Sequence, residues 1–442
     1  MNTPILDFLE SYAKSGASRL HMPGHKGEIP FDLTEITGAD ELFSPSGIIA
    51  ESEAHASLLF GSKATLYSTE GSSLCVKAMV QLISLYAREN GTEPYILAYR
   101  NVHKSFVDAV ALTGTELQFV YPESGDILSG KISLDTVEAL ITEKKPTALY
   151  ITSPSYLGDL ADVEGAKRLC KRHGVLLAVD NAHGAYTKFL SSSLHPLDLG
   201  ADLVCDSAHK TLPVITGGAY LHIGKDAPVS LLQNAKNAMS LFATTSPSYL
   251  ILASLDRANR ILSDGFSKKL SECIARLDAS KRKLSPHGWE LSGDEPLKLT
   301  LMPKSFGYLG SELAAILEEG GVFCEFFDKD HLVAMLSPYN APSDIDRFES
   351  ILLSLERKAP IKEKAPPVLR AQRAMDVRCA RLSPCEKTPV ELSEGKILAS
   401  ACESCPPAIP IMLCGEVISK ECIEAFKYYG TKDVLTVKSY ER

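Results

Sequence analysis

Between residues 94 and 223 the chain alternates short apolar runs with longer stretches of helical period. The runs are 94–100 (PYILAYR), 117–122 (LQFVYP), 147–154 (TALYITSP), 175–182 (VLLAVDNA), 201–208 (ADLVCDSA) and 217–223 (GGAYLHI). Each is short and apolar at successive positions, the pattern of a strand covered on both faces. The stretches 73–88, 133–143 and 164–173 between them read as helices. This alternation predicts an α/β unit with a mostly parallel sheet. Ahead of it, 1–16 reads as an amphipathic helix with Ile5, Leu6, Phe8, Leu9 and Tyr12 on one face, and 20–50, rich in Gly, Pro and Asp, as an ordered arm.

Beyond the sheet, 261–286 reads as one long helix. The runs 296–303, 322–328 and 331–338, with helices at 309–319 and 343–357, predict a compact α+β unit. A Pro/Lys linker at 357–370 leads to a last unit, 371–442, with a helix over 418–429. The expected division is an arm at 1–50, a large domain at 51–260, a small α+β domain at 261–359, and a linker with a C-terminal domain at 360–442.

Composition narrows the function. The chain has 442 residues, 45% hydrophobic and 23% charged, ordinary for a globular enzyme. Its net charge of −9, with no basic stripe, argues against nucleic acid. No apolar run is long enough for a membrane span, and the N-terminus lacks a signal peptide's basic start, so a cytoplasmic location is expected. Eleven scattered cysteines suit reduced thiols. Cys402 and Cys405 form a lone C-x-x-C with no nearby histidine, and no metal site is expected.

Ligands of open parallel sheets bind at the carboxyl ends of the strands, and four polar clusters stand there. Gly71-Ser72-Ser73 opens a helix, where N–H groups and hydroxyls can seat a phosphate. His103 follows one strand and can stack on a flat ring. Asp180 ends another, placed to hold a buried cation such as a protonated pyridine nitrogen, with His183 three residues on. Thirty residues after Asp180, Ser207, His209 and Lys210 end the next. Singly these read as an N-cap, a surface histidine, a structural acid and a solvated lysine. Together at one sheet edge they point to a Schiff-base lysine beside a phosphate seat.

At these residues the chain resembles the ornithine/lysine/arginine decarboxylases dependent on pyridoxal 5'-phosphate, in a short form without an N-terminal wing domain. The matching segments are HMPGHKG (21–27), TEITGADELFSPSGII (34–49), RNVHKS (100–105), TSPSYLGDLADV (152–163), VDNAHGAY (179–186), SAHKTLP (207–213), TTSPSYLILASLD (244–256) and CPPAIPIMLCGEVI (405–418). The resemblance implies the aspartate-aminotransferase fold type: a mostly parallel sheet with smaller α+β C-terminal domains, in a homodimer with shared active sites. It implies Lys210 as the cofactor lysine, Asp180 at the pyridine nitrogen, His103 stacked on the ring and His183 beside it. Gly71 belongs to the phosphate seat, and Ser72, Ser73, Ser207 and His209 match phosphate-side positions. Thr245, or Ser246, would reach a phosphate across the dimer. The implied reaction removes carbon dioxide from a basic amino acid, arginine favoured over lysine or ornithine, as in polyamine synthesis. Lys210, or His209 by relay, returns a proton.

The chain departs from the family pattern in places. The usual Asp-Glu-Ala-His is Asp180-Asn181-Ala182-His183, so one acid near the ring is missing. Tyr186, Cys385, Cys405 and Ala408 also replace usual residues. Two other readings stay open: an aminotransferase or other carbanion chemistry on the same fold, and a non-catalytic regulatory homologue. An aminotransferase commonly clamps the substrate carboxylate with an arginine, and 296–357 holds only Arg347 and Arg357, in or after its last helix. A basic substrate brings a distal cation that needs a carboxylate. The candidates are Glu403, placed first, then Glu416, Asp40 and Glu41.

Overall fold

The computed structural model describes residues 1–404 and 408–438, the side chains of 402–404 excepted. Seven strands form the main sheet: β1 Ala64–Ser68, β2 Tyr95–Tyr99, β3 Glu116–Val120, β4 Ala148–Thr152, β5 Leu176–Asp180, β6 Leu203–Asp206 and β7 Ala219–Ile223. Their order is β1-β7-β6-β5-β4-β2-β3; β7 runs antiparallel to both neighbours and the other pairs are parallel. β1 was absent from the predicted strands. Thr65 and Ser68 interrupt its apolar pattern, yet both are fully buried, and Thr65 bonds His222 across to β7.

In chain order the helices are α1 Pro4–Lys14, α2 Ile48–Phe60, α3 Gly71–Glu89, α4 Lys104–Thr113, α5 Leu134–Lys144, α6 Val163–His173, α7 Ala208–Thr211, α8 Val229–Ser240, α9 Tyr249–Ser263 and α10 Phe266–His287. Alternate strand residues feed different cores. Tyr150, Ala178 and Cys205 pack with α3, α4 and α8, while Leu149, Val179 and Val204 pack with α5 and α6. Both faces are thus covered, as the doubly apolar runs require. α1 docks by Ile5 and Leu9, with Leu6, Phe8 and Tyr12 packed alongside.

The predicted long helix at 261–286 is α10, which starts at Phe266; residues 261–263 are the end of α9. Gly265 takes φ +74° between α9 and α10, a left-handed residue that ends one helix and starts the next. The small unit that follows holds β8 Leu291–Ser292, β9 Lys298–Leu301, α11 Gly310–Glu319, β10 Phe326–Phe327, β11 Leu332–Met335 and α12 Pro342–Ser354, its sheet ordered β10-β11-β9-β8 and antiparallel. The expected strand 322–328 shrinks to two residues, which leaves Glu325 just outside it. The last unit carries α13 Val377–Leu382, β12 Cys385–Pro389, β13 Cys402–Ser404, β14 Ile409–Met412, α14 Lys420–Tyr428 and β15 Asp433–Val437. It docks on α4. Arg378 donates to the carbonyls of Ala111 and Leu112, Arg381 pairs with Asp108 at 2.7 Å, and the Lys104 N–H donates to the Ala408 carbonyl.

Asp256, fully buried on α9, anchors the N-terminus. It accepts the N–H groups of Ile5 and Leu6 at 3.0 and 3.1 Å and the Ser52 hydroxyl at 2.5 Å. Asp256→Ala orphans these donors, and we expect a loss of about 1–3 kcal/mol in denaturant unfolding, with faster hydrogen exchange in α1. Unchanged exchange there would refute the anchoring role.

Candidate active site

The strand ends bring the sequence-selected residues to one edge. Asp180, the last residue of β5, pairs in register with Cys205 on β6. It faces α3 and is 3% exposed. Its Oδ1 accepts from the Ala182 N–H at 3.1 Å and the Cys205 thiol at 3.4 Å, and its Oδ2 from the Tyr150 hydroxyl at 3.3 Å. These donors fix the carboxylate at the sheet edge, where it can hold a ring cation. Lys210, on the short turn α7 after β6, sets Nζ 2.9 Å from His183 Nε2.

Electrostatics favour the neutral, nucleophilic form of that amine. Burial lowers the Lys210 pKa from its ordinary value, with Asp180 and Glu325 pulling the other way and Lys298 adding to the drop. His183 is buried and held well below the usual histidine range, first by burial and then by Lys298 and Lys210. It is therefore neutral, and its Nε2 accepts from an ammonium or its Nδ1 tautomer lets an amine donate.

At the neighbouring corner Gly71 opens α3 with φ +71°, and a Cβ there would meet nothing within 4 Å. The N-cap side chain, Glu70, makes no cap; it accepts instead from the Thr244 N–H at 2.7 Å. The Ser207 hydroxyl donates to Ser72 Oγ at 2.7 Å, with Ser73 next along the helix. Two hydroxyls and a helix N-terminus therefore converge on open space, the donor set a phosphate needs. The loop carrying Thr245 and Ser246 lies beside this corner of its own chain, both residues exposed.

The two other histidines are oriented by backbone groups. His103 caps α4, its Nδ1 accepting from the Ser105 N–H at 3.1 Å, which fixes the tautomer and ring plane. His209 Nδ1 meets the Gly218 carbonyl at 2.9 Å, so Nδ1 carries the hydrogen and Nε2 the lone pair. Burial lowers the pKa of His209. A neutral ring with that tautomer suits proton transfer better than contact with a phosphate anion.

Of the four distal-acid candidates, three have described side chains, and each of these bonds backbone N–H groups of its own chain. Asp40 is 7% exposed, and its oxygens accept from the N–H groups of Glu41, Ser46, Gly47, Ile49 and Ala50, between 2.8 and 3.3 Å. It caps α2; burial opposes ionisation, but those backbone bonds hold its pKa below the usual value. Glu41 is exposed and accepts from the Phe43 N–H. Glu416 accepts from the Leu413 N–H at 2.8 Å and lines a groove with Leu117 and Arg373 on the outermost strand, β3, with its pKa raised by burial. Glu403 lies in β13, and its side chain falls outside the described residues.

Sequence reasoning missed two neighbours of Lys210. The Tyr156 hydroxyl donates to Glu325 Oε1 at 3.1 Å, and the Tyr156 ring stands edge-on to His183 with centroids 5.0 Å apart. Lys298, 2% exposed, pairs with Glu295 at 2.7 Å and donates to the Ser155 carbonyl at 3.1 Å. Tyr156 sits inside a quoted motif. Glu325 and Lys298 are single charges in the small unit, brought here only by its packing.

The family model for the Orn/Lys/Arg decarboxylase major domain matches residues 28–299. The chain belongs to this family. An uncharacterized Bacillus subtilis protein, YaaO, is 31% identical over 96% of this chain and 93% of its own. The arginine decarboxylase of Bacillus subtilis is 28% identical over 95% and 92%. Among solved structures, lysine decarboxylase A from Pseudomonas aeruginosa superposes with a TM-score of 0.79 at 18% identity, over 98% of this chain and 80% of that one. That likeness shows the fold: the α/β architecture of the aspartate-aminotransferase type, with a mostly parallel sheet.

Asp40→Asn should lower stability by about 1–3 kcal/mol, because an amide cannot serve five donors, and leave the KM for substrate unchanged. Steady-state kinetics and thermal unfolding check this; a raised KM at wild-type stability would return Asp40 to the site.

Proposed function

We propose that this protein decarboxylates a basic amino acid, arginine in preference to lysine or ornithine, with pyridoxal 5'-phosphate bound at Lys210. The observation that carries the reading is the Lys210 amine, 2.9 Å from His183 and kept toward its neutral form by burial, one strand from Asp180. Arginine is favoured by the arginine decarboxylase of Bacillus subtilis, whose alignment runs over 95% of the chain.

The residues supply distinct functions. Lys210 Nζ is the nucleophile that holds the cofactor, and Asp180 keeps the ring nitrogen protonated. Gly71, Ser72, Ser73 and Ser207 receive the phosphate at the N-terminus of α3. When bound, the cofactor supplies the electron sink that lets the carboxylate leave as carbon dioxide. With substrate bound, Lys210 Nζ, beside His183, would be placed to take a proton from the incoming substrate ammonium and return it to the carbon that loses its carboxylate. His103 would lie against the ring, and His209 Nε2, which holds a lone pair, could take up a proton and pass it toward Lys210.

Glu325 is the acid we assign to the distal cation. It is exposed, accepts a hydrogen bond from Tyr156, and acts on the Lys210 charge. A partner copy would complete the site. Leu20 and Met22 on the arm are 95% and 68% exposed, and Ile215 and Leu241 near the phosphate corner are 52% and 64% exposed. Such apolar surface is what a homodimer interface would cover. No helix among the described residues is long and apolar enough to cross a membrane; we propose a cytoplasmic enzyme of polyamine synthesis.

Carbon dioxide release from arginine, lysine and ornithine, run side by side, tests the reaction, and keto-acid formation instead would establish transamination. Lys210→Ala should abolish a borohydride-reducible visible band and turnover together. Glu325→Gln should raise KM about tenfold with little change in kcat; if Glu403→Gln does so instead, the recognition acid belongs to the C-terminal unit.

A further inference from the structure

Behind the active edge lies a second polar cluster that the reaction above does not use. Asp206 ends β6, immediately before Ser207, and is fully buried. Its Oδ2 is 3.0 Å from both His195 Nε2 and His222 Nε2, and both imidazoles are fully buried too. Its Oδ1 accepts from the Asn181 side-chain amide at 2.7 Å. The two histidines and the acid have the composition of a metal site, but the tautomer excludes it for His195. The Leu197 N–H donates to His195 Nδ1 at 3.3 Å, so Nε2 carries the hydrogen and donates to Asp206. His222 is set in the same sense, with Thr65 Oγ1 2.8 Å from its Nδ1. Burial works against ionisation of Asp206, but the two imidazoles hold its pKa far below the ordinary value. The cluster is a buried carboxylate served by three donors.

Its location gives it a task. Asp180 and Cys205 face α3, so Asn181 and Asp206, the next residues on each strand, cross between the strands on the opposite face. Asn181 starts the tight turn that ends at Gly184: the Gly184 N–H donates to the Asn181 carbonyl at 2.8 Å, and a Cβ at Gly184 would lie 2.0 Å from Asn181 Oδ1. His183 rides on that turn and meets Lys210, which rides on the turn after Asp206. Of the bonds between these two turns, Asn181 to Asp206 lies behind the reacting groups and His183 to Lys210 lies among them.

We propose that Asp206 is a positioning residue for the reaction: through Asn181 it holds the turn bearing Asp180 and His183 in register with Lys210. The arrangement also accounts for the departure at position 181. An acid there would press against a carboxylate already in place, so the acid stands on β6 and the amide on β5. The inference rests on the proposed role of Lys210 as the cofactor lysine.

The test is an exchange of the two side chains. Asn181→Asp sets two carboxylates against each other. It should weaken cofactor binding, read from the visible band on titration, by about tenfold or more and lower kcat rather than raise KM. Adding Asp206→Asn restores a carboxylate–amide pair with the roles reversed, since the Asn oxygen still accepts from both imidazoles. This double variant should bring affinity, band position and kcat back to within about threefold. Thermal unfolding of each variant establishes that it is folded. A folded Asn181→Asp with wild-type affinity and band position would overturn the proposal, as would a folded exchange variant that stays as impaired as the single one. Failure of the wild-type protein to take up pyridoxal 5'-phosphate would instead overturn the assigned function, and with it this inference.

Discussion

A partly buried amine with a lowered pKa, Lys210, is the constraint around which the molecule is arranged. Enclosing Lys210 favours its neutral form, but an isolated amine in an apolar site would be costly unless polar groups answered it. The chain answers with one neutral imidazole at 2.9 Å and with carboxylates on either side, Asp180 from the sheet and Glu325 from the small unit. Lys298 limits how far those acids can restore the charge. The balance needs the small unit closed over the sheet, so the amine's chemistry is coupled to how the units pack.

The sheet supplies the precision. β5 and β6 are parallel neighbours, and their register sets Asp180 opposite Cys205. Because side chains alternate across a strand, one residue further along each strand faces the other way. One sheet edge therefore carries two carboxylates facing opposite ways, Asp180 toward α3 and Asp206 toward His195 and His222. A one-residue slip of β6 against β5 would turn Asp206 onto the face that Asp180 occupies.

Much of this was legible in the sequence where it was written locally. Six strands and the helices between them follow from period and length, and Lys210, Asp180 and Gly71 could be picked out because each stands at an element boundary. What escaped depended on distant partners. Thr65 disguised β1 because its hydroxyl is satisfied by His222, far along the chain. Gly265 did not interrupt the helical period, although its left-handed backbone breaks the helix. Glu325 looked like part of a strand that proved shorter, and Asp40, one of the distal-acid candidates, binds five backbone N–H groups. Asp206 lay within an apolar run, and nothing nearby in sequence announced the two imidazoles and the amide that make its burial tolerable.

The docking of the last unit on α4 bears on how the protein comes into being. His103 stands at the head of that helix, the next residue's N–H is bonded to Ala408, and Arg378 closes the carbonyls at the helix's far end. During synthesis the lysine, its acid partner and the phosphate corner all leave the ribosome well before these contacts exist. A nascent chain thus carries the Lys210 amine while the head of α4, with His103, still awaits its brace.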